Sequence, residues 1–269
     1  MATDMLDALR LLACLACAQA APAASPTDAL AVDVELVLAV DISLSMDEKE
    51  FALQRAGYVE ALRHPDFIRA VRAGATGRIA LTYFEWAGTV RDDAVIGWQI
   101  IDSAESANSF ADKVAARPFR SFRGTSISGA LAFGAELFDR TSFDGERSVI
   151  DISGDGPNNI GPPVTATRDA ATAKGIVING LPILISPSPT FSHLDQYYAQ
   201  CVTGGPGSFV LPIYAATEFS TAIRRKLILE VSGIQDRVIS VDAAAPIDCL
   251  QGERDRRFLS DPYFPELDR

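Results

Sequence analysis

The sequence predicts an α/β protein: a three-layer sandwich built on a Rossmann-like, doubly wound and mostly parallel sheet of about six strands. Two observations predict this fold. Aliphatic stretches of strand length alternate with amphipathic helical stretches along most of the chain, and such regular alternation is typical of parallel sheets covered by helices on both faces. The 269 residues are 48% hydrophobic, which is enough for one large core.

The first strand is predicted at 32–40, which becomes wholly aliphatic from Leu36, as in a strand buried on both faces. A helix follows at 47–63, because its large apolar residues share one face. The same criteria predict the later elements, one of them a short antiparallel strand. In order, they are strands at 78–86 and 95–101, helices at 103–116 and 126–139, a strand at 149–153, a helix at 164–174, a strand at 176–185, a short helix at 192–201, a strand at 208–213 and a helix at 217–232.

The two ends of the chain differ in composition from the middle. Residues 1–24 are predicted to be a signal peptide, since 11–24 are small and apolar and contain Ala18-Gln19-Ala20, a typical cleavage pattern. The apolar stretch is too short to span a bilayer, which takes about 20 residues. Residues 30–240 are predicted to form the folded domain, and 241–269 a charged tail, with Gln251 onward lacking a hydrophobic period. We therefore expect a periplasmic or secreted protein.

The four cysteines are consistent with export. Cys14 and Cys17 lie within the predicted signal peptide, which leaves Cys201 and Cys249. In an oxidising compartment one bridge is the only intramolecular option, and it would tether the tail and stabilise the fold by roughly 3–4 kcal/mol. Two unrelated buried thiols are the alternative. A lipid anchor on Cys14 is disfavoured because the apolar stretch before it is very short.

The charge limits the possible partners. The net charge is −11 and the isoelectric point about 4.7. Such a surface repels phosphate backbones, so nucleic acid is not expected as a partner. No segment beyond the predicted signal peptide is long and apolar enough to be transmembrane.

Oxygen-bearing side chains follow the first predicted strand directly, in the sequence Asp41-Ile42-Ser43-Leu44-Ser45. A turn from strand to helix can bring Asp41, Ser43 and Ser45 together, and carboxylate and hydroxyl oxygens are ligands that Mg²⁺ or Mn²⁺ prefers. The pattern alone is a modest signal, because Asp and Ser also favour helix starts.

Two later loops add ligands at the same edge of the predicted sheet, where parallel strands end and ligands bind. Thr125 follows Gly124 at the start of the predicted helix at 126–139, and Asp155 stands between two glycines after the strand at 149–153. That strand can lie beside the first one, so three loops would supply two carboxylates and three hydroxyls. Asp151, on the strand itself, is interpreted as forming an internal salt bridge with an arginine.

This pattern resembles the von Willebrand factor A (VWA) domain, whose metal-ion-dependent adhesion site is D-x-S-x-S, then a Thr in a second loop, then an Asp in a third. The resemblance covers about 32–232, and the phrases at 154–159 and 204–207 are similar to those of exported bacterial VWA-like proteins. It implies a non-catalytic protein that binds Mg²⁺ (or Mn²⁺ or Ca²⁺), with a Glu or Asp of a protein or peptide partner completing the coordination. The matching metal ligands are Asp41, Ser43, Ser45, Thr125 and Asp155.

Two other functions use the same residues. A metal-dependent hydrolase or phosphatase is the first, but haloacid-dehalogenase-like enzymes need an acid where Ser43 stands, and the only histidines are His64 and His193. A serine hydrolase elbow, G-x-S-x-G, is absent from the sequence. The second alternative is an assembly component of the cell envelope, in which the metal only stabilises the fold.

Overall fold

The structure is a computed structural model that describes residues 29–44, 46, 48–186, 191–233 and 246–259. The predicted signal peptide, Ser45 and most of the predicted tail lie outside these residues. One five-stranded sheet forms the centre of the described part. Its strands are β1 (Leu30–Asp41), β2 (Ile79–Trp86), β3 (Val90–Ile101), β4 (Phe143–Gly154) and β5 (Val177–Pro182).

The strand order is β3-β2-β1-β4-β5, and all neighbours are parallel except β3, which pairs antiparallel with β2. β1 is the central strand and is buried from Val32 to its last residue, which explains why its sequence is so aliphatic. β4 lies directly beside β1, with Ser153 opposite Val40. The predicted mostly parallel, three-layer α/β fold is therefore confirmed.

Helices cover both faces of the sheet. One face packs against the helices that carry Tyr58, Phe110 and Ile223, and the other face against the helices that carry Leu131 and Ala171. None of the described helices is long and apolar enough to cross a bilayer. The helices are α1 (Glu48–Arg63), α2 (Pro65–Arg72), α3 (Ala104–Ala115), α4 (Ile127–Phe138), α5 (Val164–Ala173), α6 (Leu194–Tyr197, continued by a π-helical turn Tyr198–Val202), α7 (Phe219–Ser232) and α8 (Gln251–Leu259).

The predicted strand at 208–213 is wrong. This segment lies along β5 but pairs with it only through isolated bridges, such as the one between Gly180 and Val210. Pro182 of β5 has no amide hydrogen to donate to this segment, and the amide of Phe209 donates to the side chain of Asn179, at 2.9 Å, rather than to a backbone carbonyl. The sheet of the described residues consequently has five strands rather than six.

Three further elements differ from the prediction. The antiparallel strand β3 is not short but has 12 residues. α2 lies outside the predicted elements; it begins at Pro65, and proline is well suited to a first helical position although it disrupts helix interiors. Residues 251–259, expected to belong to an irregular tail, form α8. The disulfide between Cys201 and Cys249 is present and joins the start of this helix to the π-helical turn.

Candidate metal site

Three loops meet at the carboxyl ends of β1 and β4. Asp41 is the last residue of β1 and is completely buried, and Ser43 is almost so. The Ser43 amide donates a hydrogen bond to Asp41 Oδ1 at 2.7 Å, which fixes the orientation of the carboxylate. Ser45, the third residue of the predicted D-x-S-x-S set, lies outside the described residues.

Asp155 follows β4 and faces the same space. A Cβ atom built on the preceding residue, Gly154, would lie 2.8 Å from Asp41 Oδ2, so the backbone leading to Asp155 runs directly past Asp41. Burial raises the pKa of Asp41 well above its ordinary value, and the negative charge of Asp155 raises it further. The site therefore holds two acidic side chains whose charges repel each other without a cation.

Thr125 belongs to the loop before α4 and is buried. Its amide donates to Asn159 Oδ1 and its carbonyl accepts from the Asn159 amide, both at 2.8 Å. A Cβ atom on Gly156 would lie 3.8 Å from Thr125 Oγ1. These contacts hold the Thr125 loop against the Asp155 loop, so the structure brings Asp41, Ser43, Thr125 and Asp155 to one end of the sheet.

A divalent cation fits the chemistry of this cluster. Asp41 Oδ2 is buried and has no hydrogen-bond partner in the described part of the chain, and an unsatisfied buried group costs about 1–3 kcal/mol, more when charged. The described residues contain no group of three or more His, Cys, Asp or Glu side chains placed so that they could hold a metal ion. Here, two carboxylates and neighbouring hydroxyls form a set of hard oxygen ligands of the kind that Mg²⁺ takes.

Tyr198 is a further residue at this site, and no sequence pattern indicates it. Its buried hydroxyl also has no hydrogen-bond partner among the residues described, and the Cβ position on Gly154 that lies close to Asp41 is also 2.8 Å from it. Burial, together with the charges of Asp41 and Asp155, raises the pKa of Tyr198 well above 10. Tyr198 therefore stays protonated and can donate a hydrogen bond towards the carboxylates.

A buried polar network lies beneath the site along β4. Gln54 Nε2 donates to Ser153 Oγ at 2.9 Å. The ion pair predicted for Asp151 exists, but its partner is Lys226 of α7, at 2.8 Å, rather than an arginine. Lys226 also pairs with Glu230 at 2.6 Å. Asp151 is thus engaged with α7, in agreement with its exclusion from the predicted ligand set.

The mostly parallel sheet, flanked by helices and with one antiparallel outer strand, has a VWA-type fold, and solved structures bear this out. The vWF domain of the type V pilus tip protein Mfa5 from Porphyromonas gingivalis has 11% identity and a TM-score of 0.53, with 78% of this chain and 98% of that chain covered. A von Willebrand factor type A protein from Catenulispora acidiphila has 14% identity and a TM-score of 0.51, with 75% and 43% covered. Proximal thread matrix protein 1 from the mussel byssus has 14% identity and a TM-score of 0.50, with 76% and 49% covered.

The chain belongs to the family described as "Protein of unknown function (DUF1194)", whose sequence profile matches residues 31–235. The predicted resemblance to VWA domains is confirmed at the level of the fold. The chain spans about half the length of the mussel protein and less than half of the Catenulispora protein. No curated protein matches the chain in sequence.

Proposed function

We propose that this chain is an exported VWA-type protein that binds one divalent cation and presents it to a carboxylate of a protein or peptide partner, without catalysis. The observation that carries the proposal is the completely buried Asp41, whose Oδ2 has no hydrogen-bond partner among the described residues although the negative charge of Asp155 acts on it. A cation between the two side chains would remove the repulsion and satisfy the unpaired oxygen. The proposed domain comprises residues 30–240, preceded by the signal peptide at 1–24.

The proposed ligands have separate roles. Asp41 and Asp155 supply negative charge, while the hydroxyls of Ser43 and Thr125 complete part of the coordination sphere, with Ser45 as a fifth ligand proposed from the sequence. Mg²⁺ is the proposed ion, with Mn²⁺ or Ca²⁺ as alternatives. When bound, the ion offers an open coordination position to an oxygen from outside. The chain's own contribution is to fix the ligands, as the Ser43 amide does for Asp41 at 2.7 Å.

The structural relatives support a role in binding outside the cytoplasm. One is a pilus tip protein and another is a matrix protein of the mussel byssus. Both descriptions refer to proteins of extracellular structures. We extend to this chain only the general role, recognition of a protein or peptide in the periplasm or outside the cell.

Two alternatives use the same ion. A hydrolase needs a general base, and the histidines have other surroundings: His64 accepts a hydrogen bond from the Asp66 amide at the start of α2, and His193 is exposed at the start of α6. With Mg²⁺ or Mn²⁺, we expect generic phosphatase and esterase substrates to turn over no faster with the wild-type chain than with Asp41→Asn. An assembly component with a structural metal would lose stability, not partner capture, in that variant.

Calorimetric titration with Mg²⁺ and Mn²⁺ tests the cation site. We expect one ion per wild-type chain and an affinity reduced about tenfold or more in Asp41→Asn, because a direct ligand is lost. Asp139→Asn is the matched control, since it makes the same charge change at the opposite end of α4. Equal uptake by wild type and Asp41→Asn, or none by either, would contradict the proposal.

A further inference from the structure

An apolar and basic surface adjoins the candidate metal site. The loop at 117–124, named the arginine loop here, contains three arginines and no acidic residue, in a chain whose net charge is −11. Arg117 pairs with the buried Glu85, whereas Arg120 and Arg123 are exposed. Its two phenylalanines, Phe119 and Phe122, are 51% and 37% exposed. These side chains make the arginine loop unlike the acidic surface expected of the chain as a whole.

Backbone hydrogen bonds join the arginine loop to the segment at 42–44, which follows β1 and carries the proposed ligand Ser43. The Leu44 amide donates to the Phe122 carbonyl at 3.0 Å, and the Phe122 amide donates to the Ile42 carbonyl at 3.3 Å. Leu44 itself is 56% exposed. Leu44 and Phe122 therefore form an apolar rim immediately beside Asp41 and Ser43.

Positive charge is in excess along this rim. Arg91 and Arg120 share the single carboxylate of Asp93, and together with Phe122 they line an open cleft of about 430 Å³. The Arg91 guanidinium lies 5.8 Å from the centre of the Phe122 ring. Arg123 is exposed. A ligand with carboxylates and aromatic rings would complement both the charge and the apolar side chains.

Helix α8 lies against the loops of the same site. Glu253 accepts a hydrogen bond from Asn158 Nδ2 at 2.7 Å, and an Arg256 guanidinium nitrogen donates to the Asn159 carbonyl at 3.4 Å. A Cβ atom on Gly124 would lie 3.4 Å from that Arg256 nitrogen. Because Gly124 belongs to the arginine loop and precedes Thr125, α8 passes directly beside the candidate site before it ends at Leu259.

The sequence that follows α8 has the complementary chemistry. Residues 260–269 read Ser-Asp-Pro-Tyr-Phe-Pro-Glu-Leu-Asp-Arg and contain three carboxylates and two aromatic rings. Ten residues can span up to roughly 33 Å when extended, and they follow Leu259, one helical turn beyond Arg256. Arg256 donates to the carbonyl of Asn159, a residue that is itself hydrogen-bonded to Thr125. The segment is thus long enough to reach both the apolar rim and the proposed cation.

We propose that residues 260–269 bind in cis to this surface, with Tyr263 and Phe264 against the apolar rim and one carboxylate of Asp261, Glu266 or Asp268 at the open position of the cation. This inference rests on the proposed function. A segment tethered this close competes with a partner at an effective concentration in the millimolar range. An external partner must then displace the chain's own acidic segment before it can bind.

A labelled synthetic peptide of residues 260–269 tests the inference by fluorescence anisotropy. It is titrated in Mg²⁺ into the wild-type chain and into the full chain carrying Asp261→Asn, Glu266→Gln and Asp268→Asn, which retains both aromatic rings. We expect the peptide to bind the neutralised chain at least about tenfold more tightly, because its own segment no longer occupies the site. Binding in EDTA is expected to fall by a similar factor.

Three results would overturn the inference. The first is equal binding of the peptide to the wild-type and the neutralised chain. The second and third are binding of a peptide with the three neutralising substitutions, or of a scrambled acidic peptide, to the neutralised chain as tightly as the original peptide binds it. The last would indicate a surface for acidic partners in general. Magnesium uptake by the neutralised chain, measured by calorimetry, separates the two proposals. If magnesium binds and the peptide does not, the cis interaction is wrong and the proposed cation site stands; if magnesium does not bind, the proposed function fails first.

Discussion

Burial and a neighbouring carboxylate, Asp155, both disfavour the ionised form of Asp41. Both raise its pKa, so ionised Asp41 is costly unless a cation or hydrogen-bond donors compensate for the charge. The Ser43 amide compensates at Oδ1, and hydrogen bonds from the Ser43 side chain and the Asp155 backbone also lower the pKa of Asp41, whereas Oδ2 has no partner within the residues that the structure describes. The D-x-S-x-S spacing indicates Asp41 from sequence, but spacing cannot indicate the unpaired oxygen or Tyr198, which reaches the site only through the packing of α6 and its π-helical continuation.

Gly154→Ala tests the close approach of β4 to Asp41. The added methyl group would lie 2.8 Å from both Asp41 Oδ2 and Tyr198 Oη, so these groups must move apart. We expect a loss of about 1–3 kcal/mol in the free energy of unfolding, which is typical of overpacking, together with weaker Mg²⁺ uptake. Urea denaturation and calorimetry measure the two effects.

Gly97→Ala is the matched control for this substitution. It also adds one methyl group to a strand, but a Cβ atom there has no heavy atom within 4 Å. Its stability and Mg²⁺ affinity are expected to stay near wild type. If Gly154→Ala behaved like Gly97→Ala, the close packing of the two loops in the structure would be wrong.

At the scale of elements, the sequence predicts the parts of the fold that depend on continuous local patterns. The aliphatic run of β1 and the apolar face of α1 are such patterns, and both elements form. The missed elements depend on tertiary contacts. α8 has no hydrophobic period and is held by polar contacts of Glu253 and Arg256 with the loop at 158–159, and the segment at 208–213 satisfies part of its backbone through the Asn179 side chain.

α7 is tied to β4 by buried charges that do not balance. Lys226 provides one positive charge, while Asp151 and Glu230 provide two carboxylates, and all three are fully buried. Burial raises the pKa of Glu230 to about 7, although Lys226 acts in the opposite direction. One carboxylate of this cluster therefore keeps its proton at weakly acidic pH.

This imbalance predicts a pH dependence of stability. With a pKa of about 7 when folded and an ordinary value of 4.5, Glu230 holds a proton that the unfolded chain releases, so the free energy of unfolding falls as pH rises from 4.5 to 7. The contribution is roughly 3 kcal/mol. Glu230→Gln replaces the protonated form with a neutral amide and should flatten this part of the profile.

Urea denaturation at pH 5 and pH 7 measures this effect. Glu136→Gln is the control, because Glu136 is exposed and pairs with Arg140 on the surface of α4. The control should retain the wild-type pH dependence. An unchanged profile in Glu230→Gln would show that the carboxylate is ionised throughout this range.

At the scale of the whole molecule, the disulfide joins α8 to the body of the domain. Cys201 and Cys249 are 48 residues apart in sequence, and closing such a loop stabilises a fold by about 4 kcal/mol in the chain-entropy model. The double variant Cys201→Ser, Cys249→Ser should therefore lower the melting temperature by roughly 10 °C. Hydrogen exchange should also become faster in α8 and around Asn158.

The same variant separates local from global effects. Wild type under oxidising conditions is the reference, and wild type after reduction should match the variant. If the melting temperature fell while exchange in α8 stayed slow, the contacts of Glu253 and Arg256 alone would be sufficient to hold the helix.

The antiparallel strand β3 has a consequence for how copies of this molecule meet. In the sheet of the described residues it is an outer strand of 12 residues, and a long outer strand invites another strand to add to it, which leads to aggregation. Its pairing with β2 is interrupted twice in register, near Leu81 and near Phe84, and charged side chains such as Arg91 and Asp93 stand along it. Interrupted pairing and fixed charges of this kind discourage lateral growth of the sheet, which protects the chain from adding copies of itself along this strand.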